Sequence, residues 1–234
     1  MTIFKFIYLP IIRTSGSHIC PNWVYWRTKG SCINELQATV KRHTTMTTFK
    51  TKITVDGKQH ETLADILPEV GNLEILFIAK TPATVSVAAG HYFQGKQGTM
   101  FWNRLSNYNI LKVTNGKYAD ECLLSNKYGI TDIVKVPRDY GSEPSDEEYK
   151  QGLQRILLTI EKYKPTVIVF VYKKVLDNII RLNFGVSIKS NYGFNPQLDK
   201  YFKSKVFVFP MPGTPCKSDE AVLSMNKLKA LLKK

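Results

Sequence analysis

The residues best equipped for chemistry cluster between Thr81 and Trp102, in the run TPATVSVAAGHYFQGKQGTMFW. The hydroxyls of Thr81, Ser86 and Thr99 can orient a water or meet a phosphate oxygen, and His91 can carry a proton near neutral pH. His91, Tyr92, Phe93, Lys96 and Gln97 add aromatic, basic and polar side chains to the same stretch. Gly90, Gly95 and Gly98 keep the chain open between them. Two other stretches carry comparable chemistry. Asp132, in TDIVKV, supplies a carboxylate that can act as a general base where a hydroxyl cannot. Met211-Pro212-Gly213-Thr214, followed by Lys217, forms a loop with an apolar tip and a cation behind it.

These residues need a frame, and the sequence supplies one. Leu73–Ala79 is a short apolar, β-branched run that reads as a buried strand ended by Pro82. A loop of small and hydroxylated residues follows, and Thr99 is placed to cap a helix opening at Met100-Phe101-Trp102. Thr131–Val136 is a second strand, stopped by Pro137. Ser145 with Glu148 three residues on forms a capping box for a helix reaching about Tyr163. Thr166–Val171 reads as a central parallel strand and Val175–Leu182 as a short helix. Residues 183–204 read as irregular loop, Lys205–Phe209 as the fourth core strand, and Ser218 caps a last helix. Upstream, Thr48–Val55 and Asp56-Gly57 read as a strand and tight turn, with Thr62–Leu67 helix-like. Strand, loop and helix alternate. The expected fold is therefore α/β, a three-layer α/β/α sandwich around a mostly parallel four-stranded sheet. Ligands of such sheets bind in the loops beyond the strands' carboxyl ends, where the chemistry-bearing residues fall.

Residues 1–46 read differently. They mix aromatic residues with Lys and Arg and contain one acid, Glu35. They read as a basic extension to a domain spanning residues 47–234, either without fixed structure or lying upstream of a native start at Met46. The opening MTIFKFIYLPII is broken by Lys5 and Pro10 and does not read as a signal peptide. His18, Cys20, Cys32 and His43 match no common zinc spacing, so no metal is expected. Four widely spaced cysteines fit a reducing, intracellular compartment.

Thirty-three Lys and Arg against 19 acids give a formal charge of +14. A surface so basic attracts polyanions, nucleic acid foremost. No apolar run approaches the roughly 20 residues of a membrane span. GxGxxG, a Walker lysine loop, Gly-x-Ser-x-Gly, HExxH and Cys-x-x-Cys are all absent from the sequence, which removes the commonest dinucleotide, NTPase, esterase and metalloprotease readings.

From about Leu73 to Leu232 the chain resembles the uracil-DNA glycosylase superfamily. The segments that carry the likeness are Ala79-Lys80-Thr81-Pro82-Ala83, Ser86, Gly90-His91-Tyr92-Phe93, Gly98-Thr99-Met100-Phe101-Trp102, Thr131-Asp132-Ile133-Val134 and Met211-Pro212-Gly213-Thr214-Pro215. They are similar to the mismatch-specific uracil and thymine branch and to the hypoxanthine-excising branch. The likeness implies base flipping and hydrolysis of an N-glycosidic bond in base excision repair, by a monomer acting on DNA without a cofactor. Thr81, Asp132 and His91 would then be catalytic, and Pro82, Tyr92, Thr99 and Phe101 would surround the base. Ser86, Met211, Pro212, Gly213, Thr214 and Lys217 would meet DNA. Thr81 and Thr99 stand where the family carries Asn. A silent nucleic-acid-binding relative is the alternative, and a small-ligand α/β enzyme unrelated to DNA a third reading.

Overall fold

The computed structural model describes residues 48–139, 141–184 and 188–232. The His/Cys set and the start at Met46 lie outside them. An antiparallel hairpin comes first, β1 (Lys50–Val55) and β2 (Lys58–Leu63), turning at Asp56-Gly57. The helix-like reading of Thr62–Leu67 gives way here. Thr62 and Leu63 finish β2, and Ile66 pairs with Ile130 at the edge of the main sheet.

The main sheet holds β3 (Ile75–Ala79), β4 (Tyr128–Asp132), β5 (Val167–Phe170), β6 (Gly193–Phe194) and β7 (Lys205–Val208), in the order β4-β3-β5-β7-β6. Four strands are parallel, as their unbroken apolar burial requires, and β6 runs antiparallel to β7. The sheet thus has five strands, not four. The extra one is two residues long, too short to leave an apolar pattern, and lies in the stretch expected to be irregular.

Alternate residues of each strand serve two cores. Ile75, Phe77, Val167, Val169 and Phe207 pack with Phe101, Trp102 and Leu105 of α2 (Lys96–Asn107) and Met225 and Leu228 of α5 (Ser218–Leu232). Leu76, Ile78, Ile168, Phe170 and Val206 pack with α3 (Asp146–Tyr163) and α4 (Lys173–Ile179). The side of α2 that is buried carries Gly98, Phe101, Trp102 and Leu105. The capping box of α3 is also present, with Ser145 Oγ accepting from Glu148 N and Glu148 Oε2 from Ser145 N.

Three boundaries differ from expectation. Thr84–Ala89, read as loop, is the short helix α1. α2 starts at Lys96 with Gly95 at its cap, so Thr99 is the fourth helical residue and not the cap. The second strand lies at Tyr128–Asp132, earlier than Thr131–Val136, because Ile133 and Val134 bend over the end of β3 and bond to Ala79 and Lys80 carbonyls.

The topology fixes where a ligand can sit. β3 sends its chain through α1 and α2 on one face, while its neighbour β5 continues into α4 on the other. Adjacent parallel strands whose loops leave to opposite faces open a crevice at their carboxyl ends.

Candidate active site

Thr81 follows β3 at this crevice. It is half-buried, and its hydroxyl makes no hydrogen bond to another described residue. Pro82 is buried, its carbonyl accepting from Arg138 N at 3.0 Å. Thr84 Oγ1 donates to Asp139 Oδ1 at 3.0 Å, so the loop beyond β4 is laid against the segment beyond β3. Lys80 reinforces the contact. It donates to the Ser142 carbonyl at 2.9 Å and pairs with Glu143 at 3.3 Å.

Asp132 ends β4 directly opposite Ala79. It is 1% exposed and pairs with Lys135 Nζ at 3.2 Å. Burial pushes its carboxyl above the usual range, and Lys135 beside it pulls the other way. Tyr92 is buried against it, its hydroxyl within reach of the Ala64 carbonyl (3.2 Å) and Lys135 Nζ (3.1 Å). Burial first, and then the neighbouring Asp132 and Asp65, raise this phenol well above the ordinary range.

His91 is also enclosed. Its Nδ1 lies 3.0 Å from Asp120 Oδ1, its ring stacks on Tyr118 at 3.7 Å, and Phe49 meets it edge-on. Asp120 accepts from Tyr92 N as well, at 2.7 Å, so one carboxylate fixes two consecutive residues. Burial raises Asp120, with Tyr92 N–H and His91 opposing.

Three expected contact residues are placed differently. Ser86 is buried, and its hydroxyl accepts from Gln94 N at 3.1 Å, closing the turn between α1 and α2 instead of facing a ligand. Thr99 is exposed and donates back to the Gly95 carbonyl. Phe101 is fully buried among Phe77, Phe93, Trp102 and Phe209, leaving no ring face for a base. Phe93 is the aromatic that reaches the surface there. It is half-buried on Phe101 and Trp102 and holds φ at 56°, a left-handed backbone that a bulky residue adopts only under constraint.

Met211–Thr214 lies beyond β7, at the same end of the sheet. Pro212 and Gly213 (φ 81°) make the type II turn pattern, and Thr214 Oγ1 closes it on the Met211 carbonyl at 2.7 Å. Met211 is buried, Pro212 half-buried, Gly213 and Lys217 exposed. Arg104 of α2 donates to the Pro210 carbonyl and so ties this loop to the helix under Phe93. Thr81, Asp132 and Met211–Thr214 therefore all stand at or beyond carboxyl ends of the parallel strands, at one end of the sheet.

Residues 67–215 of the chain match the Uracil DNA glycosylase superfamily, a span covering Thr81, His91 to Phe93, Asp120, Asp132 and Met211–Thr214 but not Lys217 or residues 48–66. The chain belongs to the uracil-DNA glycosylase superfamily. Membership supports a glycosylase-type function and removes the unrelated small-ligand reading. Among curated proteins the chain is similar to a G/U mismatch-specific uracil DNA glycosylase of Schizosaccharomyces pombe, at 24% identity over 176 residues. That alignment covers 74% of this chain and 53% of the relative, so the chain spans about half the relative's length. No helix among the described residues is long and apolar enough to cross a membrane.

Sequence reasoning missed Phe93, Asp120, Lys135 and Arg104. Lys135 stands three residues after Asp132, a spacing visible in the sequence. Phe93 stood in the Gly90-His91-Tyr92-Phe93 segment without being singled out, and Asp120 and Arg104 carried no local signal, because each meets a partner distant in the chain, His91 and the Pro210 carbonyl.

Proposed function

We propose that the protein is a monofunctional DNA glycosylase that flips a deaminated or mismatched base, uracil or similar, into the crevice beyond β3 and hydrolyses its N-glycosidic bond. The observation that carries the reading is the Thr81 hydroxyl, without a hydrogen-bond partner among the described residues, just beyond β3 in a chain of this superfamily. There it is available to hold the attacking water. Hydrolysis breaks the C1′–N bond, joins the water's hydroxyl to C1′ and leaves the released base to take up a proton. A hydroxyl can orient that water but not deprotonate it at neutral pH, so Asp132 is the group proposed to accept its proton. His91, locked to Asp120, is proposed to assist departure of the base. Phe93, half-exposed, is proposed to replace Phe101 as the stacking surface for the flipped base, with Pro82 and Tyr92 supporting it from beneath. Met211–Thr214 and Lys217 would meet the DNA, the loop as an apolar wedge and the cation on phosphate. The reading implies a monomer that works wherever the cell keeps its DNA.

A silent DNA-binding relative is the second reading. It is favoured by Thr81 and Thr99 standing where the family carries Asn and by the near-complete enclosure of Asp132. Labelled duplexes and single strands carrying uracil, hypoxanthine, xanthine or a G·T pair, treated with alkali after incubation, separate the two. Strand scission that falls in Thr81→Ala and Asp132→Asn supports the glycosylase. Tight, salt-sensitive binding without scission of any substrate supports the silent relative.

A further inference from the structure

Lys135 sits where β4 has ended, and its ammonium serves three acceptors at once. It donates to Asp65 Oδ1 at 2.8 Å, Tyr92 Oη at 3.1 Å and Asp132 Oδ2 at 3.2 Å. These come from three segments, the turn after β2, the stretch between α1 and α2, and the end of β4. Three donors meeting three acceptors exhaust a lysine's hydrogen-bonding capacity. The side chain is largely buried, and its own carbonyl is held by Thr62 Oγ1 at 2.6 Å. From the opposite face of the sheet, Arg155 of α3 binds Asp65 Oδ2 and Thr131 Oγ1 at 2.9 and 3.0 Å and also donates to the Asp132 carbonyl. Charge therefore alternates along a line, Arg155, Asp65, Lys135, Asp132, running from the surface of α3 to the candidate site.

We propose that Lys135 is a positioning residue that keeps Asp132 in its carboxylate form and fixes its direction at the crevice, with Arg155 and Asp65 holding Lys135 in place. The inference rests on the reading of Asp132 as the proton acceptor. A carboxylate this buried without a counter-charge is costly and takes up a proton instead, and the neutral acid cannot accept one from water. The charged and titratable groups around Asp132 are Lys135 on its own segment, Asp65 from the hairpin side, Arg155 from α3 and Tyr92 between the helices. Asp120 and His91 abut Tyr92 from beyond. The two neighbours of Lys135 act with opposite sign. Removing Lys135 strips Asp132 of its cation. Removing the charge of Asp65 leaves both cations to Asp132 and favours the carboxylate further.

The test follows the Asp132 carboxyl carbon by NMR through a pH titration of the full chain, with Asp132→Asn to assign its signal. The same variants are run for the acid limb of kcat/KM on a uracil-containing duplex. Lys135→Met is expected to make Asp132 bind its proton about tenfold or more tighter, an opposite-charge effect at this range. Lys135→Arg should stay near the parent, and Asp65→Asn should move the titration the other way, to lower pH. A folded Lys135→Met whose Asp132 titrates as in the parent overturns the proposal. Should Lys135→Met not fold, an Asp65→Asn titration that is unmoved or moves to higher pH overturns it equally. Carbon titrations that shift as expected, with an acid limb that does not follow or a parent that cleaves nothing, uphold Lys135 and overturn the role given to Asp132.

Discussion

At the scale of single residues, Thr81, Phe93 and Phe101 separate chemistry from support. The Thr81 hydroxyl has no hydrogen-bond partner among the described residues, so Thr81→Ala should leave the melting temperature near that of the parent while lowering kcat by roughly a hundredfold, as lost positioning does. Thr81→Asn, which installs the family's amide, should raise cleavage in the same assay. Phe101 is the reverse case. It fills the space between the sheet and α2, so Phe101→Ala should cost about 3–5 kcal/mol in denaturant unfolding. Phe93→Ala removes a partly exposed ring and should weaken binding of an oligonucleotide with a flipped or abasic-opposed base, at little cost in stability. A large melting loss for Phe93→Ala, or none for Phe101→Ala, would reverse the two assignments.

At the scale of elements, the candidate site is held by contacts between loops and helix starts. Gly98, in the first turn of α2, lies so close to the Phe93 backbone that an added methyl group would overlap its carbonyl. Gly98→Ala should therefore displace Phe93 and lower DNA binding and stability together, read by fluorescence anisotropy and thermal melting. The loop beyond β4 is fastened through Glu143. Partial burial pushes its carboxyl up, but hydrogen bonds from Tyr149, Lys174 and Lys80 prevail and hold it below the usual range. Stability drawn from Glu143 is thus present above the ordinary glutamate range and lost as pH falls through it. Glu143→Gln should flatten that acid loss. Of these devices, the capping box at Ser145 and Glu148 was legible in the sequence, since all its parts lie within four residues. The α1 helix was not legible, because TVSVAA is β-branched and small and is held by packing on the hairpin side.

Across the whole molecule, charge and buried phenols set the response to conditions. A chain at +14 that binds DNA through phosphate contacts should lose affinity steeply and log-linearly with added salt. A flat response in a filter-binding or anisotropy titration would exclude phosphate contacts as the source of affinity. Burial pushes the Tyr128 phenol up to about 12, and its hydroxyl donates to the Ile110 carbonyl at 2.9 Å. The folded chain holds that proton more tightly than the unfolded one. Its contribution to stability is therefore full below about pH 10 and is lost as pH rises through the folded value. Tyr92 and Tyr149 are raised in the same direction. Melting temperature should accordingly fall on the alkaline side, and Tyr128→Phe should soften the fall while costing about 1 kcal/mol at neutral pH.

The sequence by itself determined the class of fold and the end of the sheet at which its hydroxyl, carboxylate and aromatic candidates collect. Short continuous apolar strands must be buried on both faces, and the punctuating prolines and glycines mark where each strand releases its loop. It also placed Thr81, Asp132 and Met211–Thr214 at strand ends, because those positions follow from counting along the chain. Only the tertiary structure decided which side chains stay near the surface and which serve the frame. Phe93 and Phe101, eight residues apart, differ because Phe101 turns fully into the core and Phe93 stays half-exposed. The same holds for the line of charge through Arg155, Asp65, Lys135 and Asp132. Its members lie up to 90 residues apart, and no local pattern records a partner brought in by the packing of a sheet between two layers of helices.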